Sequence, residues 1–375
     1  MRFIWAALLC LVYFTVSAAP AAALGTSAAS AMLIEAESGH ILYEKDAHTP
    51  RPMASTTKIM TALVVIEAGR LDDVTKVSPS AAATEGSSIY LKPGERISVR
   101  NLLYGLMLES GNDAAAALAE YVGGSIEGFA SLMNRRAALM GLKSTRFCNP
   151  SGLPDQNHYT TAYELALIGR QGLRNPVFAE IVSTKSYKAP MEDGSGARYF
   201  TNGNKLLRLY PHATGMKTGF TKQAGRCLIS SAERDGVTLI AVTLNDGNDW
   251  NDHMTMHNYG FEVVTKEPVL SPREVVVKRP VGNGKTLVTL SNTEGLSLYR
   301  GLSGGYERVI SAAPLILAPV KAGDVLGEVS FVRDGRLVAS VPLTAQNGVE
   351  ERPYVKPQIR LRQRFFGLLK SLLLS

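Results

Sequence analysis

Cysteine is scarce in this chain. Three occur in 375 residues: Cys10, Cys148 and Cys227. Cys10 lies inside an N-terminal apolar run with no small residues before it, so no lipid attachment is expected there. The other two are far apart and make no disulfide framework of the kind small secreted domains rely on. They read as two semi-buried thiols, with no bridge implied. No apolar run reaches the ~20 residues that a membrane-spanning helix needs. The N-terminal one, FIWAALLCLVYFTV, covers only residues 3–16. No short period recurs and long low-complexity tracts are missing, which argues against a solenoid or a propeller. The body of the chain also lacks net charge. Arg2 and the six cations of the acid-free tail (Arg352, Lys356, Arg360, Arg362, Arg364, Lys370) account for the whole formal charge of +7. A nucleic-acid binder carries its basic stripe on the folded domain, so no nucleic-acid partner is expected.

Several chemical signatures are missing too. No G-x-S-x-G elbow is present, which disfavours an α/β-hydrolase. No glycine-rich phosphate loop follows a strand and opens a helix. The run HMTMH places His253 and His257 at the i,i+4 spacing of a zinc site, but Met254 stands where a metalloprotease needs its glutamate. No metal and no cofactor are expected.

What is present begins with an export signal. Arg2 supplies a minimal positive start, residues 3–16 the apolar core, and SAAPAAALG offers small-residue cleavage sites after Ala18 or Ala23. AMLIEAESGHILYEKD, residues 31–46, alternates about Ser38-Gly39 and predicts a hairpin. STTKIMTALVVIEAG predicts a helix with Ser55 at its start, a favoured N-cap position, and Ile59, Met60, Leu63, Val64 and Ile66 on its buried side. Further helices are predicted over 98–109, 113–124, 125–142 and 161–173. Strands return at GMKTGF, GRCLISSAE and GVTLIAVTLN, the last two joined at Asp235-Gly236, and a final helix covers about 249–263. Strands, helices, then strands and a helix predict an α+β domain in which the early hairpin joins the late strands in one antiparallel sheet.

Short Val/Leu/Ile runs broken by Gly, Asn and Asp then predict a small all-β domain. The expected division is 1–23 signal peptide, 24–268 principal domain, 269–350 all-β domain, and 351–375 linker and amphipathic helix. In IRLRQRFFGLLKSLLLS, Leu361, Phe365, Leu368, Leu369, Leu372 and Leu373 share one helical face, with Arg360, Arg364 and Lys370 opposite. A basic amphipathic helix of this length suits the membrane interface, so residues 358–375 are expected to attach the chain to a membrane surface.

Three short motifs carry the chemistry: Ser55-Thr-Thr-Lys58, Ser110-Gly-Asn112 and Lys217-Thr-Gly219. Each is common alone. Their order and setting give them weight: the first opens an apolar helix, the second lies between helices, and the third lies on a strand. That set marks serine β-lactamases and penicillin-binding proteins. With MASTTKIMTALV, LLYGLMLESGNDAAAALAE, FCNPSGLPDQNHYTTAYELALIGR, TGMKTGFTKQAGRCLISSA and DWNDHMTMHNYGF, the chain resembles the low-molecular-mass serine D-alanyl-D-alanine carboxypeptidases of bacteria over nearly its whole length.

A serine hydroxyl needs a base to become a nucleophile. Lys58 lies nearly one helical turn from Ser55, so both can face one cleft. Desolvation or a nearby cation would make Lys58 a neutral acceptor for the Ser55 proton. The resemblance implies that Lys217 is that cation. It implies that Ser110 relays a proton to the leaving amine and that Asn112 holds Lys58 and the substrate amide. Lys217 and Thr218 would bind the terminal carboxylate, and Gly219 would let the strand approach the ligand. The N–H groups of Ser55 and Phe220 would form an oxyanion hole, and Thr221 would add a hydroxyl.

The implied partners are peptidoglycan pentapeptide stems, with β-lactams as inhibitors. The implied location is the outer face of the bacterial cytoplasmic membrane. Two other functions share these motifs: a β-lactamase, and a catalytically silent membrane-bound sensor or scaffold. Against the first, no E-P-E-L-N-like segment lies between Asn112 and Lys217, and Glu164 falls in plain helix. His158, Trp250 and His253 are expected to pack in the core.

Overall fold

A computed structural model describes residues 24–300, 305–333 and 335–353. Both the proposed signal peptide and the proposed amphipathic helix therefore lie outside the described residues. Contacts divide the chain into two compact units, with the break between Thr265 and Lys266.

The first unit is built on a five-stranded antiparallel sheet. Its strands are Ser30–Glu35 (β1), Ile41–Lys45 (β2), Ala213–Thr221 (β3), Gly225–Arg234 (β4) and Val237–Leu244 (β5), in the order β2-β1-β5-β4-β3. The early hairpin joins the late strands where Ser30–Glu35 pairs with Leu239–Leu244. Strand β1, SAMLIE, is buried at every position, and β5 at all but one. Such continuous burial requires cover on both faces. The helix Ala162–Leu173 and the helix Asp249–Val263 both pack on these strands. Strand β3 is the last in the sheet, so among the described residues one of its edges is free of strand pairing.

The helical block contains Lys58–Glu67 (α1), Val99–Leu108 (α2), Asn112–Gly123 (α3), Ile126–Leu139 (α4), Ala162–Leu173 (α5), Pro176–Ser183 (α6) and Asp249–Val263 (α7). Side-chain oxygens start several of them. Ser98, Ser125 and Thr161 accept the N–H groups of Asn101, Gly128 and Glu164, which fixes the beginnings of α2, α4 and α5. Two expectations change. Helix α1 is buried from Lys58 to Ile66, with no solvent face. Ser55 is not its cap: it sits in a preceding 3-10 turn, Ala54–Thr57, whose end makes no side-chain cap. Helix α6, with proline at its first turn, is additional; eight residues show too little periodicity to stand out.

The second unit carries an all-β domain. Its five-stranded antiparallel sheet contains Val276–Arg279 (β6), Val288–Asn292 (β7), Glu307–Ala312 (β8), Val325–Arg333 (β9) and Arg336–Ala345 (β10), in the order β6-β7-β10-β9-β8. Thr265–Leu270 and Leu296–Arg300 form a separate ladder. Leu290, Val329, Phe331, Val341 and Leu343 are among its core residues. Among the described residues, no helix is long and apolar enough to cross a membrane.

Candidate active site

A cleft of about 500 Å³ opens along strand β3, lined by Ser55, Ser87, Ser110, Gly203, Thr218, Gly219, Phe220, Arg226, Asp249 and Trp250. All three motifs meet at it. Ser55 comes from the 3-10 turn, Ser110 from the loop before α3, and Thr218 to Phe220 from the edge strand.

Lys58 is wholly buried beneath Ser55. Its Nζ lies 2.9 Å from Ser55 Oγ, 2.7 Å from Asn112 Oδ1 and 2.7 Å from the Ser151 carbonyl. Asn112 Nδ2 donates to the Glu85 carbonyl at 2.7 Å, so its Oδ1 must be the atom that faces Lys58. Carbonyl oxygens only accept. A neutral amine would give its two N–H bonds to Asn112 and Ser151 and keep its lone pair for the Ser55 hydroxyl. The Lys58 pKa is held well below the usual lysine value, first by burial and then by the Lys217 cation; Asp113 opposes the shift.

Sequence reasoning named Lys58 and missed much of what holds it. Asp113 is fully buried. Its carboxylate accepts the N–H groups of Ile89, Leu91 and Ala114 and the hydroxyl of Ser88. This ties the 85–91 segment to the start of α3, and the Asn112 N–H donates to Ser87 O at 2.6 Å. Ser110 stands beside this knot in a left-handed conformation, φ +63°, rare for a residue with a side chain. The second support is the 149–153 loop. Asn149 Oδ1 accepts from the N–H groups of Ser151, Gly152 and Leu153, which presents the Ser151 carbonyl to Lys58. A backbone carbonyl leaves no mark in a sequence motif.

Lys217 is also buried, and burial lowers its pKa to about 7. Among the described residues its Nζ has one acceptor, the Thr218 carbonyl at 3.0 Å, and no carboxylate. A buried ammonium with spare donors favours an anionic ligand. Gly219 brings the strand against Ser55: a methyl there would stand 2.9 Å from the Ser55 nitrogen. Phe220 is 66% exposed. Thr221 is placed differently from expectation. Its hydroxyl accepts the Ala224 N–H at 3.0 Å and closes the β3–β4 turn, and it is not among the cleft-lining residues.

The far end of the cleft was not expected. Arg226, opposite Phe220 in the β3–β4 ladder, donates to Asp249 at 2.6 Å and lies over the Trp250 ring at 5.7 Å. Trp250 is thus a cleft residue and not core packing. His158 and His253 are buried, as expected. His253 and His257 both contact Ser230 Oγ, at 2.6 and 2.7 Å, and among the described residues no group of side chains suited to a metal is found. Cys148 and Cys227 are free thiols.

A family profile described as D-alanyl-D-alanine carboxypeptidase matches residues 15–248, and one described as penicillin-binding protein 5, C-terminal domain, matches residues 265–351. The chain is 32% identical over 345 residues to D-alanyl-D-alanine carboxypeptidase DacF of Bacillus subtilis, covering 88% of each chain. Penicillin-binding protein 5 of Haemophilus influenzae is similar in structure, with TM-score 0.65 and 28% identity over 87% of this chain and 98% of that one. D-alanyl-D-alanine carboxypeptidase DacD of Francisella tularensis gives TM-score 0.60 and 28% identity over 88% and 95%.

Proposed function

Because the chain belongs to the D-alanyl-D-alanine carboxypeptidase family, we propose that Ser55 is the nucleophile with which it removes the terminal D-alanine from peptidoglycan pentapeptide stems. Its relatives include penicillin-binding proteins, and penicillin acylates the same serine. The observation that carries this reading is the environment of Lys58: one buried amine, two acceptor-only partners, and Ser55 Oγ at 2.9 Å.

The proposed reaction runs in these steps. Lys58 takes the Ser55 proton as Oγ attacks the carbonyl of the penultimate D-alanine. The N–H groups of Ser55 and Phe220 stabilise the oxyanion; such donors typically contribute about 10²–10³ in rate. The proton passes from Lys58 through Ser110 to the leaving nitrogen. The C–N bond breaks and D-alanine departs, leaving an ester on Ser55. Water, deprotonated by Lys58, hydrolyses the ester and restores the enzyme. Lys217 and Thr218 hold the substrate carboxylate. Asn112 holds Lys58, and its second Nδ2 proton remains for the substrate amide.

We further propose that this reaction takes place outside the cytoplasm. Residues 1–23 act as the export signal, and 358–375 attach the chain to the outer face of the cytoplasmic membrane. The test of the whole reading is D-alanine release from a pentapeptide by the full chain and its Ser55→Ala variant, with peptide mapping of the penicillin adduct. Release and a Ser55 adduct in the wild type, with neither in the variant, are expected. An adduct on another residue would overturn the assignment.

A further inference from the structure

We propose that His158 is a positioning residue for the nucleophile: through Thr57 it locks the strained Ala54 turn that aims Ser55 into the cleft. The inference rests on the reading of Ser55 given above.

Ala54, immediately before Ser55, has φ +48°. This left-handed conformation is disfavoured for a residue with a side chain and persists only where its surroundings hold it. Two contacts do so. Thr57 Oγ1 donates to the Ala54 carbonyl at 2.8 Å. Gly152 packs on the same carbonyl so closely that a methyl there would stand 1.9 Å from its oxygen.

The Thr57 hydroxyl has one proton, and Ala54 takes it. At its 2.7 Å contact with His158 Nε2 the threonine must therefore accept, and Nε2 must carry a proton. The other ring nitrogen gives the same answer independently. Nδ1 accepts the Cys148 N–H at 3.0 Å, so it carries none. Both contacts select one neutral tautomer, which agrees with burial lowering the His158 pKa to about 4.

The ring thus bridges two backbone segments. One leads into the 149–153 loop, whose Ser151 carbonyl holds Lys58. The other is the turn that carries Ser55. Distance and angle between base and nucleophile depend on both segments staying in register. His158 is 4% exposed and is not among the cleft-lining residues, so it acts through Thr57 and not on substrate.

The test compares Thr57→Val, which keeps the shape and loses the hydroxyl, with Thr57→Ser, which keeps the hydroxyl. His158→Phe and the Thr57→Val/His158→Phe double variant complete the set. All are made in the full chain and read by D-alanine release, by acylation with a fluorescent penicillin, and by thermal melting. Misaligned reacting groups lose about 10–100-fold in rate. Thr57→Val is expected to lose that much in kcat with KM within about twofold of wild type, while Thr57→Ser stays within about threefold. The double variant is expected to be no slower than the slower single one, since the two side chains act as a unit.

A wild-type acylation rate in folded Thr57→Val would overturn the proposal, as would equal losses in Thr57→Val and Thr57→Ser. If His158→Phe does not fold, the two Thr57 variants decide alone. The underlying reading fails separately, if Ser55→Ala still releases D-alanine.

Discussion

Gly219 faces the backbone nitrogen of Ser55 so closely that a methyl group would lie 2.9 Å from it and 3.1 Å from the Thr56 nitrogen. Those backbone atoms cannot yield as a flexible side chain would. Gly219→Ala is therefore expected to push the edge strand away from the 3-10 turn and widen the space between the Ser55 and Phe220 N–H groups. Stopped-flow acylation by a fluorescent penicillin should slow about 10–100-fold, with a small change in melting temperature. An unchanged acylation rate would show that the two N–H groups do not act as a pair.

The two buried lysines give a pH signature. Burial and then the Lys217 cation hold the Lys58 pKa well below the usual lysine value, which favours its neutral form. Lys217 itself titrates near 7 in the free protein, and only its protonated form attracts the substrate carboxylate. As pH rises through about 7 the site loses that cation, so kcat/KM should fall on its alkaline side. A bound carboxylate favours the protonated lysine, so kcat should stay flat over the same range. Equal alkaline limbs in both profiles would remove Lys217 from carboxylate binding.

Three buried histidines bear on acid stability. The pKa falls to about 4 at His158 and about 3 at His257, and well below the usual value at His253, in each case mainly through burial. A group with a depressed histidine pKa binds fewer protons folded than unfolded. Its contribution is intact above the unfolded value of about 6.5 and is lost as pH falls below it. The melting temperature should drop between pH 7 and pH 5. His257→Phe should flatten that slope, because it removes one of the three groups; a slope no smaller than the wild type's would contradict this assignment.

Penicillin should acylate quickly and leave slowly. The candidate deacylating base, Glu164, has both oxygens engaged by the Lys143 and Ser144 N–H groups and the Thr145 hydroxyl. Glu164→Gln should therefore leave penicillin turnover as slow as in the wild type. Rapid turnover that this substitution abolishes would restore the β-lactamase reading.

The sequence made the chemistry legible more readily than its support. Ser55, Lys58 and Lys217 could be named because nucleophile, base and cation must be particular side chains in a particular order. The sheet was legible because Ser38-Gly39 marks the turn of the early hairpin and Asp235-Gly236 the turn between β4 and β5. Ser151 acts through its carbonyl, and Ala54 through a backbone angle, so neither has a residue-type signature. Trp250 and Arg226 reach the cleft only through the packing of α7 on β4, which no local pattern encodes. Asp113 was visible as an acid at a helix start, but its role depends on a loop more than twenty residues upstream.

The central claim is that a buried neutral lysine activates Ser55. Its most direct test is the single-turnover acylation rate of Lys58→Ala by a fluorescent penicillin, in protein with a wild-type melting profile. General-base removal typically lowers such a step by about 10²–10⁴, and a loss of that size is predicted. Labelling at the wild-type rate would contradict the account.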